Sequence, residues 1–394
     1  MKTRNVHRTG GVRMKVVIAI DSLKGSLTSM EAGSAIKQGI RNVSKEAEVF
    51  ISPLADGGEG TTDALIEGMG GEKIFLTVTG PDKKPVKGYY GYLKEQKMAI
   101  IEMAMAAGIT YLKEEERSPY TTTTYGVGEM IFHAIEMGSR KFVIGIGGSA
   151  TNDGGTGMLE ALGYEFYDKN GQVMHPTGGT LDEIGEIRSD KVIPALRECE
   201  FRIACDVENP LYGKTGASYI YGPQKGATIK DCEILDQKMR KYAEIVKTLT
   251  GHSHENVKGA GAAGGLGFAF LSFLSARLEP GIELILDTTQ LEKRLIDADY
   301  VITGEGRLDG QTAMGKAPIG VAQLAKKYGK KVIAFAGSIT HDAKACHDGG
   351  IDAFFPIVRG VCTLEEAMNT ENAKRNLQDT VEEVFRLLAS SEKY

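Results

Sequence analysis

The chain has 394 residues, 42% of them hydrophobic and 25% charged, with a formal net charge of −5. Such a length holds two or three domains with a core that needs no disulfide or metal staple, and the mild acidity offers no basic footprint for nucleic acid and no polybasic stripe for a membrane surface. Five cysteines, odd in number and without a C-x-x-C pair, speak against a disulfide framework and a zinc site and for a reducing, cytoplasmic setting.

Residues 1–13 are polar, basic and patternless and read as a leader, with Met14 opening the fold. Residues 16–20 form a continuous apolar run, as in a parallel strand buried on both faces, and Asp21 stands at its carboxyl end, where open α/β sheets bind ligands. Thr28 and Glu31 make a capping box ahead of Ala32, Ile36, Ile40 and Val43 at helical spacing. A second strand-like run, 49–54, gives way to Asp56 and a glycine loop. From residue 73 to 102 the pattern changes to short alternating stretches around Gly80-Pro81-Asp82, which predicts antiparallel strands and a change of domain. A helix over 124–137, strands at 142–144 and 201–204, and a long helix over 231–250 follow. Parallel α/β grammar returns with strands at 300–302, 332–335 and 354–358, a helix begun by Pro318 and closed by Gly329, and a terminal helix capped by Thr363 and Glu366. The fold class expected is α/β: a doubly wound parallel-sheet domain formed by both chain ends, residues 14–72 and 285–394, with an inserted mixed α/β domain at 73–284.

The 50 glycines are nearly double the usual share of about 7%. Many gather with acids, hydroxyls or a base in five loops: residues 21–26, 55–60, 145–157, 205–210 and 303–309, nearly all just after a predicted strand. One such loop is an ordinary turn; five at equivalent strand ends suggest a shared polar site. Loop 145–157 lies between a strand and a helix, where unpaired N–H groups and the helix dipole favour an anion. Asp153 within it would repel a bare phosphate and so hints at a metal-bound polyphosphate, or else caps the next helix. Gly145-x-Gly147-x-x-Ala150 also fits the dinucleotide fingerprint of an NAD(P)-dependent oxidoreductase, with Asp153 counting against it. Gly259-x-Gly261-x-x-Gly264 has no strand before it and reads as close helix packing or chance. Gly310-x4-Gly315-Lys316-Ala317 misses the P-loop hydroxyl at Ala317.

Taken in order, Asp21-Ser22-x-Lys24-Gly25-Ser26, Ala55-Asp56-Gly57-Gly58-Glu59-Gly60-Thr61, Gly147-Gly148-Ser149-Ala150-Thr151-Asn152-Asp153-Gly154-Gly155, Ala204-Cys205-Asp206-Val207-x-Asn209-Pro210-Leu211, the glycine run 259–267 and Thr303-Gly304-Glu305-Gly306-Arg307-x-Asp309-x-Gln311-Thr312 closely resemble the bacterial glycerate kinase family of the glycerate 2-kinase type, from Met14 nearly to the end. Leu23, where that family usually has Phe, is a conservative departure. The resemblance implies ATP-dependent phosphorylation of glycerate, a Mg²⁺ requirement and an active site in a cleft between two domains, and it leaves a homo-oligomer open. Phosphoryl transfer needs positioning and charge neutralisation more than covalent help. Lys24 and Arg307 are candidates for the transferring phosphoryl or the glycerate carboxylate. Ser22, Ser26, Asp56 and Glu305 are candidates for substrate binding, and Gly147, Gly148, Ser149 and Asn152 for the nucleotide phosphates. Asp153 and Asp206 are candidate Mg²⁺ ligands, Asp206 doubling as the group that orients the hydroxyl; the sequence leaves open which acid does which.

Overall fold

A computed structural model describes residues 13–252 and 254–391, so the leader reading of residues 1–13 falls, but for Arg13, outside the described residues. The chain divides into two compact units, one taking Met1–Asp56 and Ile285–Tyr394, the other Gly57–Leu284. The strands are β1 (Lys15–Ile18) and β2 (Glu48–Ile51) in the first unit. In the second they are β3 (Glu72–Thr79), β4 (Pro85–Leu93), β5 (Met98–Glu102), β6 (Lys141–Gly145), β7 (Glu165–Asp168), β8 (Val173–Met174), β9 (Ile184–Arg188), β10 (Glu200–Ala204) and β11 (Arg277–Glu279). The first unit then resumes with β12 (Tyr300–Leu308), β13 (Lys331–Ile339) and β14 (Ala353–Pro356).

The first unit is a five-stranded sheet, ordered β14-β13-β12-β1-β2 and parallel throughout. Its apolar runs are buried on both faces, as parallel strands require. The helix Ser29–Val43 starts in the capping box: the Thr28 hydroxyl accepts from the Glu31 amide at 3.2 Å and the Glu31 carboxylate from the Thr28 amide at 3.0 Å. It buries Ala32, Ile36 and Ile40 in one cluster with Val16, Ile18 and Ile302, and with Leu377, Val381 and Phe385 of the helix Thr370–Ser391. Neighbouring residues on each strand face the other way. The helix Ala317–Lys327, with Pro318 in its first turn, packs on β12 and β13. From β1 the sheet grows toward β2, and from β12 it grows the opposite way, so the carboxyl ends of β1 and β12 mark a topological switch point.

The second unit is mixed. Its main sheet runs β11-β10-β6-β5-β4-β3, antiparallel from β3 to β5 and parallel from β5 to β11. A small antiparallel sheet, β8-β7-β9, adds to it. The helix Ile229–Thr250 turns Leu235, Met239, Tyr242 and Val246 into the core, where Tyr242 meets the edge of Phe268 with ring centroids 5.7 Å apart. The chain enters this unit at Gly57, earlier than the change of pattern at residue 73. The cause is the helix Thr61–Met69, whose Leu65 and Ile66 are buried and which packs on β4 and β5 of the inserted sheet. No helix among the described residues is long and apolar enough to cross a membrane, and all five cysteines are free thiols.

Candidate functional sites

In the first unit the loops that leave β1 and β12 are joined through their backbones. The Asp21 amide donates to the Gly304 carbonyl at 2.9 Å, and a Cβ on Gly306 would lie 3.3 Å from the Lys24 nitrogen. Gly304 itself admits no side chain, since a Cβ there would fall 1.8 Å from the Phe335 carbonyl oxygen. Residues 21–26 are shaped by a tight turn in which Leu23 and Leu27 exchange backbone hydrogen bonds at 2.9 and 3.0 Å. Both leucines are buried, which leaves Ser22 and Lys24 exposed and Ser26 half-buried, its hydroxyl oxygen without a protein partner.

This turn sets an acidic group at the switch point. Asp21 accepts the Ser22 amide at 2.7 Å. Burial pushes its carboxyl up to about 7; the Ser22 amide opposes this, the charges of Asp56 and Glu305 add to it, and Lys24 opposes it again. Glu305 is also raised by burial, against a hydrogen bond of 2.6 Å from the Thr312 hydroxyl and the nearby charge of Lys316. Asp56, Asp21, Glu305 and Lys24 therefore feel one another. Arg307 is exposed and turns to Asp309, Nε lying 3.7 Å from Oδ2. The sequence placed Asp21 at a strand's carboxyl end and in a motif but gave it no role. Its position at the end of a buried strand beside two other acids is what gives it a proton affinity suited to general base work near neutral pH.

In the second unit, loop 145–157 follows β6. Gly147 and Gly148 are exposed, and the amides of Gly147, Gly148 and Ser149 donate to no acceptor among the described residues. The Gly148 carbonyl instead accepts from the Ile109 amide at 2.8 Å, and the Ala150 amide donates to Ala107 at 2.9 Å. Three consecutive uncommitted N–H groups, two of them on exposed glycines and the third on buried Ser149, are an anion cradle.

Two positions expected at this surface lie beneath it. Asn152 is 0% exposed and donates to the Ser218 hydroxyl at 3.1 Å. Asp153 is likewise 0% exposed, and its carboxylate accepts the Thr124 amide and hydroxyl, each at 2.8 Å, the Gly155 amide at 3.1 Å and the Gly157 amide at 3.3 Å. It joins the starts of the helices Tyr125–Glu136 and Thr156–Ala161. Burial raises its pKa while those donors pull it down. The expected Mg²⁺ ligand thus gives way to the alternative of a helix cap, because an ion could reach its oxygens only by displacing the four donors. The same bonds correct the dinucleotide reading: the helix begins only at Thr156, and its first amides serve the protein's own carboxylate rather than a pyrophosphate.

The glycine run 259–267 forms the floor of this loop. Ala263, Gly264 and Gly265 take left-handed backbone angles, the Gly264 carbonyl accepts the Gly154 amide at 2.9 Å, and a Cβ on Gly264 would lie 2.0 Å from the Thr151 carbonyl oxygen. Two further buried groups escaped the sequence reading, having neither motif nor periodicity to mark them. Lys225 donates to the Ser149 hydroxyl and the Thr151 carbonyl. Glu102 accepts the Gly60 and Thr62 amides at 3.2 and 2.8 Å and so fixes the glycine loop that follows Asp56. Asp206 is exposed after β10, with Oδ1 accepting the Gly281 amide at 2.9 Å. Its neighbour Cys205 is a thiol raised by burial, as expected of a filler rather than a nucleophile.

Among the described residues no three His, Cys, Asp or Glu side chains form a ready ligand set for a metal. A Mg²⁺ brought in with a polyphosphate asks for less, one or two carboxylates with the remaining positions filled by phosphate and water oxygens. The carboxylates of Asp21, Asp56 and Glu305 fit that demand: the charge of Asp56 acts on both of the others, and a cation beside them would relieve that repulsion.

The sequence model of the Glycerate kinase family matches residues 16–389. The chain is 44% identical to a glycerate kinase of Bacillus subtilis (strain 168), over 94% of this chain and 97% of that one, and 45% identical to a glycerate 2-kinase of Escherichia coli (strain K12), over 93% and 98%. A crystal structure named for glycerate kinase 2 of Salmonella typhimurium LT2 superposes with a TM-score of 0.90 at 43% identity, covering 97% of this chain and all of that one. Fold and relatives together define an α/β phosphotransferase. More narrowly, the chain belongs to the glycerate kinase family. Nothing in these relationships supports an oxidoreductase.

Proposed function

We propose that the enzyme transfers the γ-phosphoryl group of ATP to a hydroxyl of glycerate, giving 2-phosphoglycerate and ADP. The observation that carries this reading is the run of three uncommitted amides at residues 147–149, a backbone cradle for polyphosphate in a chain of this family. The 2-phosphate follows the name of the Escherichia coli relative.

In the first unit Lys24 and Arg307 neutralise the glycerate carboxylate or the transferring phosphoryl, and the hydroxyls of Ser22 and Ser26 orient the substrate. Asp21, with its raised carboxyl, accepts the proton of the attacking hydroxyl. Asp56 and Glu305 would hold Mg²⁺, which when bound offsets the charge of the phosphates. Asp206, an exposed acid of the second unit, is a candidate to hold Mg²⁺ or to orient the substrate hydroxyl. A cytoplasmic setting rests on the five free thiols.

The test is ADP release by purified protein. It is expected only when ATP, Mg²⁺ and glycerate are all present, with phosphorus and carbon NMR placing the phosphate on the 2-hydroxyl. No ADP, or equal ADP without glycerate, refutes the reaction, and a 3-phosphate product refutes the regiochemistry. Lys24→Ala and Arg307→Ala, both at exposed side chains, are expected to lose activity by about a hundredfold or more while keeping their melting temperatures. Activity near wild type in either variant removes that residue from the site.

A further inference from the structure

Lys225 ends a single turn, Pro223–Lys225, that follows the helix Ala217–Tyr221, and it is 1% exposed. A lysine at that depth needs partners for its ammonium. Nζ donates to the Ser149 hydroxyl at 2.8 Å and to the Thr151 carbonyl at 2.6 Å. These acceptors flank Ala150, whose own amide is committed to Ala107. The loop is therefore tied at three consecutive residues just where the uncommitted amides end. Burial pulls the Lys225 amino group down to about 7 and the charge of Asp153 opposes this; burial and the same carboxylate hold the Tyr242 phenol up, and Arg117 reaches the neighbouring Gln224 carbonyl at 3.3 Å.

An uncharged side chain of similar length would fill the same space with less desolvation. An apolar one such as Met could donate to neither acceptor and would leave the Ser149 hydroxyl and the Thr151 carbonyl without this partner. We propose that Lys225 is a positioning residue for nucleotide binding: its Nζ holds Ser149 and Thr151 so that the amides of residues 147–149 keep the spacing that a polyphosphate needs. This rests on the reading of loop 145–157 as the phosphate loop. The lysine meets no substrate itself and acts through the loop.

The experiment compares Lys225→Met, Ser149→Ala and Gly148→Val with the wild-type enzyme, each checked for folding by circular dichroism, with KM measured separately for ATP and glycerate. Losing both hydrogen bonds of Nζ is expected to raise the KM for ATP about tenfold in Lys225→Met, with the KM for glycerate within about twofold. Ser149→Ala shifts the same constant in the same direction by a smaller factor. If Lys225→Met does not fold, Ser149→Ala, which deletes one hydroxyl and no charge, decides alone. An unchanged KM for ATP in a folded variant overturns the proposal, and so does an equal rise in both constants, the mark of a merely structural lysine. Gly148→Val places a branched side chain on an exposed residue with φ of +72° and so reshapes the loop directly. If it raises the KM for ATP while Lys225→Met does not, the phosphate loop stands and only the role of the lysine falls. If neither matters, the phosphate-loop reading falls too.

Discussion

Replacing Asp21 by Asn should make the protein more stable and less active, with the gain in stability growing from about pH 4 to about pH 7 and level above that. The folded carboxyl sits at about 7, against 3.8 for an unhindered one. Between those values the folded chain holds a proton that the unfolded chain has released. Folded stability therefore falls as pH rises through that window and is lowest above it. A shift of about 3 units at 1.36 kcal/mol each sets an upper bound of about 4 kcal/mol. Asp21 is partly exposed and Lys24 screens it, so about 1–3 kcal/mol is the realistic size. Asparagine keeps an oxygen for the Ser22 amide and never ionises. Denaturant unfolding of wild type and Asp21→Asn at pH 5, 6, 7 and 8 measures the effect. The two midpoints should draw apart from pH 5 to about 7 and stay apart at pH 8, while phosphoryl transfer drops by about a hundredfold or more through loss of the proton acceptor. A midpoint difference that does not change with pH, or a variant less stable than wild type at pH 8, would refute the reasoning.

Asp153→Asn turns at least the bond to the Gly155 amide from attractive to repulsive and removes the charge from the rest, and should lower stability by roughly 2–4 kcal/mol. A calorimetric scan checks it, and an unchanged melting temperature with an altered Mg²⁺ requirement would restore the metal-ligand reading. Gly264→Ala drives a methyl into the Thr151 carbonyl oxygen and should cost about 2–4 kcal/mol and weaken ATP binding together. Normal nucleotide affinity in that variant would show that the floor of the loop can move without consequence.

The parts of the fold that were legible in the sequence are those that local chemistry dictates. Thr28 with Glu31 caps a helix wherever the chain leads it, and the run 16–20 could be little other than a buried strand. Loop positions were legible too, since glycines after strands are hard to hide. The direction of side chains within loops was not. Asn152 and Asp153 carry the polar character of a surface site, yet the left-handed turns at Gly154 and Gly155 fold them under it. Lys225 and Glu102 were invisible because each serves a loop far away in sequence, and only the packed core brings them within hydrogen-bonding distance. The first junction was placed late because the helix Thr61–Met69 announces itself by periodicity, which tells nothing of the sheet it packs on.

β1 pairs with β12, Val17 opposite Val301, so the first strand made on the ribosome waits for a partner that emerges after the whole insertion. In an unfolded chain the entropy of closing so long a loop opposes that pairing. Within the second unit, however, Gly57 and Gly281 are neighbours, a Cβ on the first falling 3.1 Å from the Cα of the second. Once that unit has folded, the large loop has been reduced to a short tether. The fragment Gly57–Leu284 is accordingly expected to fold alone, and residues 13–56 are not; a fragment 57–284 without cooperative melting would contradict this order. The insertion thus acts as an internal assembly jig, and vectorial synthesis completes the enclosed unit before the split one.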